Sequence, residues 1–271
     1  MDLFEINPRE VAEKLITFLK ENLERVGRNG FVLGLSGGLD SSVCAALAVE
    51  AIGAGKINAL MMPYATSSSA SISDAEMLAE KLKIKVTKID ITPIVEPYFK
   101  LETDINYLRK GNFMARIRMA LLYDHAARTR SLVLGTSNKS EALLGYGTLH
   151  GDVAWDINPL WDLYKTQVRT LAEYLEIPQA IIHKKPTADL WQGQTDENEL
   201  GFTYERVDKL LFLALDKALR DPEIETEGFS MEEINRAKRL VKANQFKRSG
   251  PIVARIFPEY PGCDFIAPDS W

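Results

Sequence analysis

The stretch FVLGLSGGLDSS, residues 31–42, determines how the rest of the chain is interpreted. Residues 31–35 form a short apolar run next to glycines, which is typical of a strand buried on both faces. Residues 36–42 then place two glycines, three serines and an aspartate at the start of a predicted helix. Because a helix N-terminus offers unpaired N–H groups and glycine lets the backbone turn them toward one anion, this stretch predicts a phosphate-binding loop.

The loop does not match the two common nucleotide-binding motifs. It lacks the lysine of a Walker P-loop and the G-x-G-x-x-G spacing of a dinucleotide fingerprint. The later stretch GAGK, residues 53–56, is followed by Ile57 where a P-loop requires Ser or Thr. An ordinary strand–helix turn with a helix cap stays open as the alternative. Asp40 would be an unusual neighbour for a phosphate unless a divalent cation lay between them.

Strands and helices alternate on both sides of the loop. Apolar runs predict strands over 31–35, 57–62, 84–89 and 132–134. Apolar periodicity and capping signals predict helices from Pro8 over some twenty residues, then over about 41–54, 73–83, 112–129, 165–175 and 207–218, and after Ser230. This order predicts an α/β fold, with a doubly wound parallel sheet and helices on both faces. Residues 145–159 and 183–202 show little periodicity, and we interpret them as long functional loops.

Length and composition restrict the class of protein. The 271 residues fit one domain over 1–271 with a helical C-terminal portion at about 203–246. A net charge of -5 makes a nucleic-acid partner a poor hypothesis. No signal-like N-terminus and no apolar run near the roughly 18 residues of a membrane span is present, so we expect a soluble cytoplasmic protein without a membrane partner. Cys44 and Cys263 are too few for a disulfide scaffold.

The loop resembles the pyrophosphate loop of the N-type ATP pyrophosphatases, which have a Rossmann-like, adenine-nucleotide alpha-hydrolase-like fold and split ATP between its α- and β-phosphates. Further stretches resemble the NAD synthetases within that superfamily. In chain order they are GNFMARIRM (111–119), LGTSNKSE (134–141), GYGTLHGD (145–152), DINPL (156–160), KTQVR (165–169) and QTDENELG (194–201). The resemblance extends from about residue 10 to residue 251. It matches the short form that takes free ammonia, since 271 residues leave no room for the glutaminase domain of the long form.

The resemblance implies a two-step ligase reaction. The carboxylate of nicotinic acid adenine dinucleotide (deamido-NAD) would attack the α-phosphate of ATP, release pyrophosphate and form an acyl-adenylate. Ammonia would then displace AMP and give NAD, in the last step of NAD biosynthesis. ATP is a substrate here and Mg²⁺ the implied metal. Two alternatives stay open: another N-type pyrophosphatase that amidates or thiolates a different carbonyl, and a non-catalytic nucleotide-binding domain.

The resemblance also assigns residues. Asp40 and Glu141 would bind the metal and, with Asp152 and Lys165, form the catalytic set. The ATP-binding residues would be Gly34, Leu35, Ser36, Gly37, Gly38, Leu39, Asp40, Ser41, Thr136, Lys165 and Thr187. The dinucleotide would be bound by Arg116, Leu149, Asp156, Phe246 and Lys247. Two positions depart from the family pattern, which often has a lysine at position 149 and a histidine at position 246.

Several of these residues could instead have ordinary structural roles. Glu141, three residues after Asn138, could be a helix-capping glutamate. Lys165 could be a solvated first-turn lysine, although a cation is disfavoured at a helix N-terminus. Asp152 and Asp156 could be turn residues in a glycine-rich loop.

The helix at 112–129 predicts an assembly. Its apolar residues surround the whole helix, so it should be buried on all sides, which a single sheet cannot achieve. A homodimer in which the partner covers this helix near Arg116 is the hypothesis, and the family resemblance implies the same. Cover by residues 203–246 of the same chain is the alternative.

Overall fold

The computed structural model of the protein describes residues 4–187, 195–250, 252–254 and 256. These residues form a four-stranded sheet that is surrounded by helices. The strands are β1 (Phe31–Gly34), β2 (Ile57–Met61), β3 (Lys85–Lys88) and β4 (Leu132–Val133). The helices are α1 (Pro8–Arg25), α2 (Leu39–Ile52), α3 (Ser69–Leu82), α4 (Thr92–Leu101), α5 (Tyr107–Thr129), α6 (Lys139–Leu144), α7 (Lys165–Tyr174), α8 (Gln179–Ile182), α9 (Asp196–Leu200), α10 (Tyr204–Leu211), α11 (Asp221–Thr226) and α12 (Met231–Ala243).

The sheet is parallel throughout, in the order β3-β2-β1-β4, which confirms the predicted doubly wound class. Phe31 lies opposite Ile57 on one side and Leu132 on the other. The chain therefore reverses its direction of progress at β1, and ligands of open α/β sheets bind beside such a reversal, at the carboxyl ends of the strands. A single parallel bridge between Leu134 and Ile157 continues the β4 edge.

Helices cover both faces of the sheet. Phe31 and Leu33 point into a core shared with α1, α2 and α7, while Val32 between them points into a second core shared with α4 and α5. This alternation follows from the two-residue period of a strand. Cys44 is buried in the first core and is a free cysteine.

The chain from Leu200 to Ala237 packs around a third core of its own. Tyr204, Val207 and Ile234 are fully buried there. Leu144 of α6 and Tyr164, just before α7, are also buried in this core. The C-terminal helices therefore rest directly on the two helices that follow the β4 edge.

Three predicted helices have wrong bounds. The helix predicted over about 207–218 begins at Tyr204, and α10 ends at Leu211, where a π-helical turn over Phe212–Asp216 follows. α3 begins at Ser69, with Ser68 at the N-cap, and not at Ser73. The side chain of Asp74 is engaged by Lys184 at 2.8 Å. α5 begins at Tyr107 rather than at residue 112, because the side chain of Asn106 accepts the amide of Arg109 at 2.9 Å and caps the helix there.

Among the described residues, five helices lie outside the predicted helical stretches: α4, α6, α8, α9 and α11. The predicted loop over 183–202 therefore ends in a helix, α9, and its residues 188–194 lie outside the described part of the chain. Within the described residues, no helix is both long and apolar enough to cross a membrane.

α5 is not buried on all sides within one chain. Met114 and Ala126 are buried, and the main packing partners of the helix are β1, β4 and α4. The C-terminal helices are not among these main partners, so the alternative cover by residues 203–246 is not supported. Phe113 and Ile117 stay partly exposed, and Leu108 in the first turn is 63% exposed.

Candidate active site

A cavity of about 560 Å³ opens at the carboxyl ends of β1 and β4, where the sheet order reverses. Its floor is the loop after β1, and its walls come from the segments after β2 and β4 and from the N-terminus of α7. The predicted site residues that line it are Gly34, Leu35, Ser36, Gly38, Leu39, Asp40, Ser41, Thr136, Glu141, Asp152, Lys165, Thr187 and Lys247.

The loop after β1 is held by its own hydroxyl groups. The Oγ atoms of Ser36 and Ser41 are 3.0 Å apart, and the amide of Gly38 donates to Ser36 Oγ at 3.2 Å. Gly38 is the N-cap of α2 and provides no side chain to cap the first amides. The loop thus directs the N-terminus of α2, with its positive dipole end, into the cavity.

Gly37 does not line the cavity but explains the shape of the loop. Its φ is +75°, a region that disfavours any side chain. A Cβ built there would lie 2.1 Å from the carbonyl oxygen of Ser71, at the start of α3. The loop can therefore pack against α3 only because position 37 is glycine.

α6 brings Glu141 to the cavity. Asn138 and Glu141 form a reciprocal capping box, so the helix-capping role considered for Glu141 is present as well. Glu141 Oε2 accepts the Asn138 amide at 3.2 Å, which leaves Oε1 facing the cavity. The Asn138 side chain also donates to Asp40 Oδ1 at 3.0 Å, so one residue orients both carboxylates.

Lys165, the first residue of α7, lies between the two carboxylates. It is only 4% exposed, which contradicts the alternative of a solvated lysine. Its Nζ donates to Asp40 Oδ2 and lies 3.3 Å from Glu141 Oε1. Three residues from three different helices therefore converge on one point of the cavity.

Burial and charge shift the pKa values of this group. Burial raises the pKa of Glu141 to about 8, against the opposing effect of Lys165. Burial alone would lower the pKa of Lys165, but the charges of Asp40 and Glu141 outweigh it and raise that pKa. Buried Asp196 adds a third acid that acts on Lys165. If all three acids were ionised, their charge would exceed that of the one lysine, and an additional cation would favour the ionised form of Glu141.

A second polar group lies on the wall formed by residues 145–152. Asp152 Oδ1 accepts the Thr148 amide at 2.8 Å. The side chain keeps contact with solvent, yet its crowded position raises its pKa, since desolvation outweighs that hydrogen bond. Lys247 Nζ donates to the carbonyl oxygens of Gly145 at 2.7 Å and Gly147 at 2.9 Å, which ties the C-terminal segment to this wall.

Part of the cavity lining is apolar. Leu60, Met62, Ile72 and Ala75 form this part, and Arg118 donates through Nε to the carbonyl of Met62 at 3.0 Å. A ligand with one anionic and one flat apolar part would fit such a cavity.

Besides Gly37, four residues predicted to bind the dinucleotide do not line the cavity: Arg116, Leu149, Asp156 and Phe246. Arg116 is exposed and donates to the carbonyl of Leu149 at 3.2 Å, so these two lie together. Asp156 Oδ2 accepts the Val133 amide at 2.8 Å and so fastens its loop to β4. Phe246 is 56% exposed.

Two residues of the site have roles that the sequence did not predict. Asn138 is a helix cap by its sequence pattern, but it also orients Asp40. Asp196 lies in the stretch QTDENELG, residues 194–201, and the sequence alone predicted no function for its carboxylate. Asp196 Oδ2 accepts the hydroxyl of Tyr204 at 3.3 Å. The sequence could not predict the hydrogen bond between Asn138 and Asp40, because these residues are 98 positions apart in the chain.

Comparisons with known proteins agree with the observed fold. The family model for NAD synthase matches residues 11–251. An NH(3)-dependent NAD(+) synthetase of Pelodictyon phaeoclathratiforme is 48% identical over 96% of this chain and 94% of its own length. A solved NH3-dependent NAD synthetase of Campylobacter jejuni has a TM-score of 0.79 at 35% identity, over 92% of this chain and all of that chain. A solved NMN synthetase of Francisella tularensis has a TM-score of 0.83 at 34% identity, over 93% of this chain and all of that chain.

Proposed function

Because the chain belongs to the NAD synthase family, we propose that it uses ATP to join ammonia to nicotinic acid adenine dinucleotide, giving NAD, AMP and pyrophosphate. The observation that carries the proposal is the convergence of Asp40, Glu141 and Lys165 beside the loop after β1. A domain that only binds a nucleotide has no need to bury a lysine between two carboxylates at the mouth of its phosphate loop.

In the first step, the substrate carboxylate attacks the α-phosphate of ATP, the bond to the β-phosphate breaks, and pyrophosphate leaves. The hydroxyls of Ser36 and Ser41 and the N-terminus of α2 are placed to bind the leaving pyrophosphate. The ammonium group of Lys165 neutralises charge that develops on the phosphate oxygens. This is electrostatic catalysis by groups that are oriented before the substrate arrives.

The same residues fit a magnesium ion. Carboxylate oxygens are hard ligands, and Mg²⁺ is usually held by one or two carboxylates together with substrate phosphates and water. In the described part of the chain, no group of three or more His, Cys, Asp and Glu side chains forms a complete metal site. Asp40 and Glu141 would therefore hold Mg²⁺ jointly with ATP, and the ion would supply charge neutralisation of the phosphates.

In the second step, ammonia attacks the carbonyl of the acyl-adenylate and AMP leaves. Asp152 would hold the incoming nitrogen and accept a proton from it. Its position on the cavity wall and the upward direction of its pKa shift suit a carboxylate that accepts a proton. ATP would be held by the residues already assigned to it, with its adenine against apolar lining residues such as Met62.

The four residues outside the cavity require a wider binding site. We propose that Arg116 and Leu149, with Asp156, Phe246 and Lys247, bind the far part of the dinucleotide. The partly exposed apolar side of α5, which carries Arg116, would be covered by a second copy of the chain. The dinucleotide site would then lie at the interface of a homodimer, the most common closed assembly. The cytoplasm, where ATP is plentiful, is the proposed compartment.

Product analysis tests this function. The purified chain is incubated with ATP, Mg²⁺, ammonium and deamido-NAD, and the products are identified by mass spectrometry. We expect NAD, AMP and pyrophosphate in equal amounts, and none of them when deamido-NAD is left out. A parallel reaction with nicotinic acid mononucleotide tests the alternative substrate that the name of the Francisella relative, an NMN synthetase, suggests. Preferential turnover of the mononucleotide, or release of ADP, would contradict the proposal.

A further inference from the structure

Asp208 is a fully buried carboxylate of α10 that does not line the cavity. Its Oδ1 accepts the hydroxyl of Ser140. Its Oδ2 accepts both the amide of Thr166, at 2.9 Å, and the hydroxyl of Thr166, at 3.0 Å. One buried side chain thus receives three hydrogen bonds from two helices, α6 and α7. This carboxylate has no role in the reaction steps proposed above.

These bonds supply the N-terminal cap that α7 lacks. Tyr164 precedes the helix and offers no side-chain cap. The amide of Lys165 instead donates to Ser140 Oγ at 2.9 Å, and the next amide, that of Thr166, donates to Asp208. Unpaired amides at a helix start need such acceptors, and here they come from two other helices.

The donors to Asp208 are the sequence neighbours of the reacting groups. Ser140 precedes Glu141, and Thr166 follows Lys165. The 3.3 Å separation of Lys165 Nζ and Glu141 Oε1 therefore depends on how α6 and α7 are held relative to each other. A displacement of about 1 Å at a catalytic group can lower a rate by about 100-fold.

We propose that Asp208 is a positioning residue, which locks the N-termini of α6 and α7 together so that Glu141 and Lys165 converge on Asp40. It also gives the C-terminal helices a part in the reaction, because Asp208 is a buried polar contact between α10 and the two catalytic helices. This role rests on the proposed function for its kinetic consequence, but its geometric consequence can be measured without any turnover.

The central test is Asp208→Asn, which keeps the size of the side chain but replaces one accepting oxygen by an amide that can only donate. We expect kcat to fall about 10- to 100-fold, while the KM for deamido-NAD changes less than about threefold. In a crystal structure of the variant, the Lys165–Glu141 separation should increase by more than about 1 Å. The matched control is Val207→Ala on the same helix, which should lower the melting temperature and leave kcat unchanged.

A milder pair of variants keeps the test valid if Asp208→Asn does not fold. Thr166→Val removes one of the three hydrogen bonds and should lower kcat severalfold, whereas Thr166→Ser keeps the hydroxyl and should retain activity. Three results would overturn the proposal: a kcat of Asp208→Asn within twofold of wild type, an equal loss of kcat in Val207→Ala, or an unchanged Lys165–Glu141 separation. A wild-type chain that makes no NAD would refute the proposed function instead, and the structural measurement would still decide the role of Asp208.

Discussion

Two carboxylates and one lysine form the centre of the proposed site. Asp40→Asn and Glu141→Gln should each lower the rate of pyrophosphate release about 100- to 1000-fold at saturating Mg²⁺, because each replaces a carboxylate ligand of the proposed Mg²⁺ by a weaker, neutral amide. Both variants should stay folded, since the amides keep the size of the side chains. The control is Glu13→Gln, which removes an exposed ion pair with Arg9 and should keep full activity. Near-wild-type activity in either site variant would contradict the metal assignment.

Gly37 offers a test of the loop that is independent of catalysis. Gly37→Ala should destabilise the chain by about 1–3 kcal/mol, since the new side chain meets a positive φ and the carbonyl of Ser71. Gly55→Ala, where no atom lies within 4 Å of the new Cβ, should change stability by less than about 1 kcal/mol. Chemical denaturation of both variants measures this difference. Equal losses would show that the close approach of the loop to α3 is not maintained.

At the scale of elements, the capping box at the start of α12 is a surface feature that should matter for stability alone. Ser230→Ala should cost about 1 kcal/mol, because the amide of Glu233 loses its acceptor. Thr17→Ala removes a hydroxyl that bonds only within α1 and should stay within about 0.5 kcal/mol of wild type. Thermal denaturation distinguishes the two variants. A change in kcat for Ser230→Ala would contradict a purely structural role.

Sequence predicted the elements best where the physical signal is local. β1, β2 and β4 are apolar runs, β3 lies in a stretch of alternating apolar residues, and the start of α12 has its own capping box, so all were predicted close to their observed bounds. The start of α3 was wrong because Ser73 to Glu76 fits a capping pattern by sequence alone. In the fold that stretch lies inside the helix, where Asp74 pairs with Lys184.

The site residues also divide into those with a local sequence signal and those without one. The loop after β1 could be predicted because its glycines, serines and helix start are contiguous. Nothing local indicated that Asn138 bonds to Asp40, 98 positions earlier in the chain, or that Asp208 bonds to Ser140, 68 positions earlier. Such contacts arise from the packing of helices, which one sequence without relatives does not encode in any short pattern.

For the whole molecule, the partly exposed side of α5 predicts a homodimer. Ile117→Lys should give a folded monomer that still binds ATP but no longer binds deamido-NAD, because the charge would be placed in the proposed interface. Met77→Lys, on the exposed side of α3, is the control and should leave the dimer intact. Sedimentation measures both. A wild-type chain that is an active monomer at micromolar concentration would exclude the dimer hypothesis.

The nitrogen donor is a second property of the whole molecule. Ammonium should support turnover and glutamine alone should not, as the names of the curated relatives imply for those proteins. At fixed total ammonium the rate should rise with pH, because the fraction of free ammonia rises, until another group limits it. The initial rate of NAD formation from about pH 6.5 to about pH 9 measures this. Efficient amidation from glutamine by the purified chain would contradict it.

The transfer of oxygen to AMP tests the central chemical claim most directly. If the carboxylate of deamido-NAD attacks the α-phosphate, one of its oxygens becomes the bridge of the acyl-adenylate and leaves with AMP when ammonia displaces it. Substrate labelled with ¹⁸O in that carboxylate should therefore give AMP with one ¹⁸O atom and pyrophosphate with none, as read by mass spectrometry. Unlabelled AMP, or label in pyrophosphate or free phosphate, would contradict the proposed adenylate and the roles of Asp40, Glu141 and Lys165 in forming it.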